Sequence, residues 1–279
     1  MGRAISLASL LSAALVLCAA GQAGSQTSPN QLVRQVIAHE LQAEEQDHSH
    51  WMFRLQQTQP DSGTKLEEIV ETPQGWVRRL LALNGHPLNA QQRAKDDARI
   101  RKLLADPSEQ RKEYQSIRND ADQAQQLMKM LPDAFLYTYA GRKGEVVKLN
   151  FRPNPKFHPQ SRKAAVFHDM VGSLWLNMKA QRLAGISGHL NQEVKFAGGL
   201  LGHLDKGGSF QVKQTPLGQG YWDVTYMNVQ MNGKALFFKT ISVHEKDIRS
   251  DYRRLPDNLT LAQGAALLKK QSQLVAQKH

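Results

Sequence analysis

The 279-residue sequence has one cysteine, Cys18, so it holds neither a disulfide framework nor a multi-cysteine metal site. Aromatic residues make up only 7% of it. After Ala20 no apolar run approaches the roughly 20 residues that a membrane-spanning helix needs, and the composition excludes a multi-span helical membrane protein. Acidic residues are the minority charge, 25 against 36 Lys and Arg, leaving a net charge of +11. A large partner is therefore expected to be anionic. With 41% hydrophobic residues and a mean hydropathy of −0.51, the chain is neither collagen-like nor wholly disordered. Its length suits one large domain or two small ones, because single cores stop growing at roughly 250–300 residues.

Arg3 is the only charge before Arg34, and an apolar run from Ala4 to Ala20 leads into Gly21-Gln22-Ala23-Gly24-Ser25. A positive start, a short apolar core and a small-residue exit read as a secretory signal peptide over residues 1–23, cut after Ala20 or Ala23. Cys18 follows Leu17, where lipidation requires a small residue, so it is expected to leave with the signal. The mature protein is then periplasmic or secreted, without a lipid anchor.

Residues 24–279 read as one α+β domain. Pro29 to Asp47 is a predicted helix with Leu32, Val33, Val36, Ile37 and Leu41 on one face. Three strands follow, Trp51–Thr58, Lys65–Thr72 and Trp76–Leu83, parted by Pro60-Asp61-Ser62-Gly63 and Pro73-Gln74-Gly75. From Asn89 to Leu131 glycine vanishes, and Asp106-Pro107-Ser108 divides two predicted helices. The second has a thin seam, Tyr114, Ile117, Ala121, Ala124, Met128 and Leu131, which predicts an inserted helical hairpin that is a mobile lid or arm outside the central core. Strand signals return from Phe135 and persist to about Leu255, with Asn232-Gly233 the strongest hairpin turn among them. A last helix spans about Leu261 to Val275, with Ala262, Ala265, Ala266, Leu267 and Leu268 on its apolar face. The pattern predicts a large curved antiparallel sheet packed on helices.

Enzyme motifs fail at specific positions. His39-Glu40 lacks a second histidine where Ala43 stands, His48 and His50 could supply two metal ligands with Asp47 a third but show no full ligand set, and Gly208 precedes Ser209 where a phosphate loop needs lysine. Gly185-Ile186-Ser187-Gly188-His189 has histidine where a nucleophile elbow needs glycine. Glu67 and Glu68 are neighbours in a strand and point apart. No enzymatic activity, cofactor or metal is expected. The region from Arg142 to Lys163 is strongly basic: Arg142, Lys143, Arg152, Lys156, Arg162 and Lys163 are candidates for an anionic partner. In an exported protein that partner is an anionic surface, polymer or envelope protein, and not nucleic acid.

Gly172-Ser173-Leu174-Trp175-Leu176 followed by Arg182-Leu183-Ala184-Gly185-Ile186-Ser187-Gly188 resembles a strand pair of the outer-membrane lipoprotein-sorting (LolA/LolB-like) superfamily. The likeness in residues covers Gly172 to Val194, and in element order Ser28 to Leu255. The chain departs from that pattern in its 89–131 insertion and its basic loop around Pro153. The resemblance implies an incomplete β-barrel wrapped over helices, with an apolar cavity for acyl chains. The leading expectation is a non-enzymatic carrier or sensor of lipid or acyl-chain ligands, with Trp175, Trp222, Tyr226 and Phe237 lining a concave face. An envelope scaffold that binds an anionic polymer or a protein partner through the basic loop and helical hairpin is the alternative. Export of the full-length chain should yield a mature protein that begins at Gly21 or Gly24 by N-terminal sequencing.

Overall fold

The computed structural model describes residues 27–159, 161, 163–196, 198, 201–235 and 239–276. Helix α1 (Pro29–Gln46) opens with Ser28, whose side chain accepts from the Gln31 amide, and with Pro29 in its first turn. Strands β1 (His50–Gln59), β2 (Gly63–Thr72), β3 (Gly75–Leu83) and β4 (His86–Pro87) form a meander. Helices α2 (Ala90–Ala105) and α3 (Pro107–Ala134) follow, α2 entered through an Asn89–Gln92 capping box. Next come β5 (Phe135–Lys143), β6 (Val146–Pro153), a short 3-10 helix (Lys163–His168), β7 (Met170–Asn177), β8 (Arg182–Leu190), β9 (Val194–Phe196) and β10 (Gly202–Leu204). Strands β11 (Ser209–Gly218), β12 (Tyr221–Ala235) and β13 (Lys239–Leu255) precede helix α4 (Leu261–Ala276).

All strand pairs are antiparallel. They form one 13-stranded sheet in the order β4-β3-β2-β1-β13-β12-β11-β8-β7-β6-β5, with the β9–β10 hairpin attached to β12. The sheet is not closed into a barrel, and the mixed α+β architecture matches the sequence-based expectation.

Opposed residues share a face of a sheet, so the register separates its two surfaces. Leu149, Leu174, Ile186, Val212, Met227, Asp247 and Gln57 stand on one rung, on the face that carries α1. On this inner face α1 packs over β5 and β8, and its Val33, Val36 and Ile37 join Phe135, Leu149, Leu174 and Leu176 in the main core. Phe53, Leu55 and Ile69 form a second inner cluster with Trp51. Met52, Val70 and Val77 alternate with those residues and face outward, against Leu261, Ala265 and Leu268 of α4 and Ile100 of α2. The outer face is therefore roofed by α2 and α4 over β1–β3.

Two glycines in the inner core are dictated by close approach: a Cβ at Gly172 would stand 2.0 Å from the Ser187 carbonyl oxygen, and one at Gly188 2.8 Å from Phe210 Cε1. Gly172 and Gly188 oppose each other, and a Cβ on either would meet Phe151 Cζ, at 2.7 and 3.2 Å. A side chain there would collide with the ring that fills the core.

The strongest link between α1 and the sheet is polar. Arg182 holds Glu40 through Nε at 2.8 Å and its terminal nitrogen at 2.9 Å, and the Leu183 amide donates to the same carboxylate at 2.9 Å. Glu40 is 3% exposed.

Three sequence expectations are corrected here. Asn232 and Gly233 are not a turn: they pair with Ser242 and Ile241 inside β12 and β13. Glycine is needed at 233 for another reason, since a Cβ would sit 2.2 Å from the His203 carbonyl of β10. In α4 the buried stripe is Leu261, Ala265 and Leu268, while Ala262, Ala266 and Leu267 are exposed. The inserted hairpin is rooted in the cores and does not stand outside them. Ile100 of α2 and Leu131 of α3 are both buried, and Asp96 of α2 accepts from the Leu80 amide. Tyr114, predicted to sit in the seam, is exposed. The helix α3 also runs through Pro132 to Ala134, and it touches both β3 and β5.

Breaking a buried ion pair from one side leaves the other charge uncompensated, at a cost of about 3–5 kcal/mol. Glu40→Ala should lower unfolding stability by that amount in urea titration. Hydrogen exchange should show α2 amides around Ile100 protected like those of β1, and the exposed stretch from Arg111 to Ala124 exchanging faster.

Candidate functional site

On the outer face, the rung Lys148–Trp175–Gly185–Lys213–Tyr226 crosses β6, β7, β8, β11 and β12. Lys148 Nζ lies 5.4 Å from the Trp175 ring centroid and Lys213 Nζ lies 5.3 Å from that of Tyr226. Trp175 is placed there by alternation, because Leu174 and Leu176 on either side are fully buried in the inner core. Two of the aromatic residues expected to line a concave cavity, Trp175 and Tyr226, thus stand together on the face opposite α1. Trp222 is separated from them by a bulge at Thr225, between the Lys213–Tyr226 and Gln214–Val224 pairs, and it lies 6.0 Å from Arg182 Cζ. Phe237 lies outside the described residues.

On the inner face, the sheet between the two apolar clusters has a different character. Phe210, Val212, Met227 and Val229 are half-buried on β11 and β12. No helix packs on these strands as closely as α1 packs on β5 and β8. Beside this strip runs a charged seam. Gln57 donates to Glu245 at 2.6 Å, and Asp247, 6% exposed, keeps an Oδ1 without a hydrogen-bond partner. Burial and the nearby Glu245 raise the Asp247 carboxyl above the usual range. Arg249 reaches Asp223 at 3.5 Å, and its Nε has no partner. Glu71 accepts from the Trp51 amide at 3.0 Å. Burial first, then the Asp223 carboxylate, push Glu71 up to about 8. Burial likewise raises Asp223.

The described clefts lie elsewhere. One of about 440 Å³ sits between β3 and the α2–α3 junction, among Trp76, Arg78, Arg99, Lys102, Glu109 and Glu113. Its walls pair with each other, Lys102 to Glu109 at 3.0 Å and Arg78 to Glu113 at 3.3 Å. A second, of about 360 Å³, has Pro73, Gln74, Gln110, Arg111 and Tyr114 in its walls. Neither has the apolar lining of an acyl-chain cavity.

The basic candidates divide into two places. Arg142 and Lys143 are exposed at the turn end of the β5–β6 hairpin, where Arg142 donates to the Gly144 carbonyl. Arg152 and Lys156 are exposed at its other end, six strand residues on from Val146 and so ~20 Å away. Arg162 lies outside the described residues, and Lys163 begins the 3-10 helix. Glu67 and Glu68 point apart as predicted, Glu67 toward Arg78 and Glu68 toward Arg54 and Arg253. His50 faces Asp257 at 3.9 Å. Glu193, His203 and Asp205 bring three ligand atoms within 4.8 Å of one another, but Lys195 already lies 3.5 Å from Glu193 and supplies a positive charge there.

Glu40, Glu71, Asp223, Asp247 and Arg249 were not singled out by sequence reasoning. The signal was present for two of them. Glu40 falls on the Val33–Val36–Ile37 stripe of α1, and Glu71 shares the strand face of Ile69. No protein-family model, no curated protein and no solved structure matches the chain.

A carboxyl raised by folding binds its proton more tightly in the native state, so it favours folding at low pH and loses that effect as pH rises. For Glu71 the window runs from about 4.5 to about 8. Thermal unfolding should therefore show stability falling across that window, and Glu71→Gln should flatten the slope and gain most at pH 8.

Proposed function

We propose that the protein is an exported, non-enzymatic binding protein for lipid or lipoprotein acyl chains, held on the inner face of the open sheet. The observation that supports this reading best is the half-buried apolar strip of Phe210, Val212, Met227 and Val229, flanked by two closed cores and not roofed by a helix of its own. Burial of an acyl chain is favourable by about 0.8 kcal/mol per CH₂. The charged seam alongside, with the unpartnered Asp247 Oδ1 and Arg249 Nε, offers polar groups for a headgroup. The resemblance at Gly172 to Val194 and the open antiparallel sheet support the same reading. The ligand site is thus moved from Trp175 and Tyr226 to the opposite face.

Native mass spectrometry of the gently purified chain should show co-purified lipid, and a fluorescent fatty acid should bind the delipidated protein. Replacing two apolar contacts, Met227→Gln with Val229→Thr, should weaken that binding about tenfold or more. A clean apo mass together with no uptake of the fatty acid would overturn the proposal.

A further inference from the structure

The strands from β5 through β11 contain no Asp or Glu at all. The one acid of β12, Asp223, pairs with Arg249 and Tyr252, which stack around the inner cluster at Phe53. The acids of β13 that pair across the sheet, Glu245 and Asp247, face inward with Gln57. The outer face from β6 to β12 is consequently acid-free among the described residues, while Lys148, Arg152 and Lys213 rise from it. Such a segregation is not shared by the rest of the sheet. Over β1–β3 the outer face mixes signs, with Glu68 between Arg54 and Arg253.

The chemistry of this surface is ordered in rows. The rung of Trp175 and Tyr226 places two aromatic rings three strand spacings apart, ~14 Å. Gly185 between them leaves the flank of the Trp175 ring open, its Cε3 lying 3.8 Å from where a Cβ would stand. The next rung is Asn150–Ser173–Ser187–Gln211–Asn228, amide or hydroxyl at every strand. Only one bond within it, Ser173 Oγ to Asn150 Oδ1 at 2.9 Å, is made between its own members.

We propose that this outer face binds an acidic polysaccharide. Aromatic rings stack on the apolar faces of sugar rings, the amide and hydroxyl row exchanges hydrogen bonds with sugar hydroxyls, and the lysines neutralise the carboxylates of the polymer. Charge complementarity selects an anion, and the rows select the kind. An anionic bilayer is held by apolar side chains that insert beside a basic cluster, whereas the row next to the aromatics has only short polar groups. This surface is separate from the inner strip, so either proposal can fail without the other.

The test is titration of the full chain with polygalacturonate, with neutral dextran, phosphatidylglycerol vesicles and single-stranded DNA as comparators. Binding to polygalacturonate should be salt-sensitive and absent for dextran. It should be lost in Lys148→Glu with Lys213→Glu, and weakened about tenfold in Trp175→Ala, while fatty-acid binding is unchanged in both. If the double glutamate variant fails to fold, Lys148→Gln with Lys213→Gln is read in the same way and should lose at least tenfold. No binding to polygalacturonate overturns the proposal. Binding that survives removal of the two lysines, or that is tighter for vesicles or DNA, overturns it equally.

Discussion

The buried clamp of Glu40, Arg182 and the Leu183 amide fixes the relation between α1 and the sheet. An apolar helix face alone can slide along an apolar sheet, since dispersion and hydrophobic contacts are non-directional. A bidentate guanidinium–carboxylate pair cannot, because its two parallel bonds demand one geometry. Here a third donor comes from the backbone of β8 itself, so the C-terminal half of α1 is held in register by Arg182 and Leu183, while Asn30 in its first turn bonds the backbone of Phe135 and Tyr137 in β5. The position of α1 decides in turn which part of the inner face is closed. β5 and β8 lie beneath it, and the apolar strip of β11 and β12 lies beyond it.

The two faces of the sheet divide the electrostatics of the molecule. Glu71, Asp223 and Asp247 turn inward, where burial raises each carboxyl above its usual range. Lys148, Arg152 and Lys213 stand on the opposite, outer face. The excess positive charge in the composition is thereby given a direction that a net value of +11 does not express.

Much of the fold was legible because the strands obey simple alternation. The helix start at Pro29 and the break at Pro107 were readable directly, and alternation alone sets Leu174 and Leu176 on one side of β7 and Trp175 on the other. What failed did so for long-range reasons. Asn232-Gly233 has the composition of a turn, yet β10 comes close to Gly233 and requires a residue without a side chain. That neighbour is distant in sequence and leaves no local mark. The split between Trp222 and Tyr226 depends on an extra residue at Thr225, and a bulge is invisible to a period of two. The site was less legible than the fold. Aromatic residues were expected to face a cavity, but alternation says only that two residues share a face, not which face the helices cover.

The pairing of β1 with β13 brings the first and last long strands side by side in the middle of the sheet, and Arg254 bonds the His50 carbonyl across 204 residues. Until β13 exists, the meander of β1 to β3 ends in an open hydrogen-bonding edge, with Trp51, Phe53 and Leu55 lacking part of their cover. A chain that emerges from its N-terminus onward therefore carries an incomplete sheet through most of its synthesis. Loop-closure entropy for this one pairing comes due last, so completion of the sheet waits on its contact of longest sequence separation.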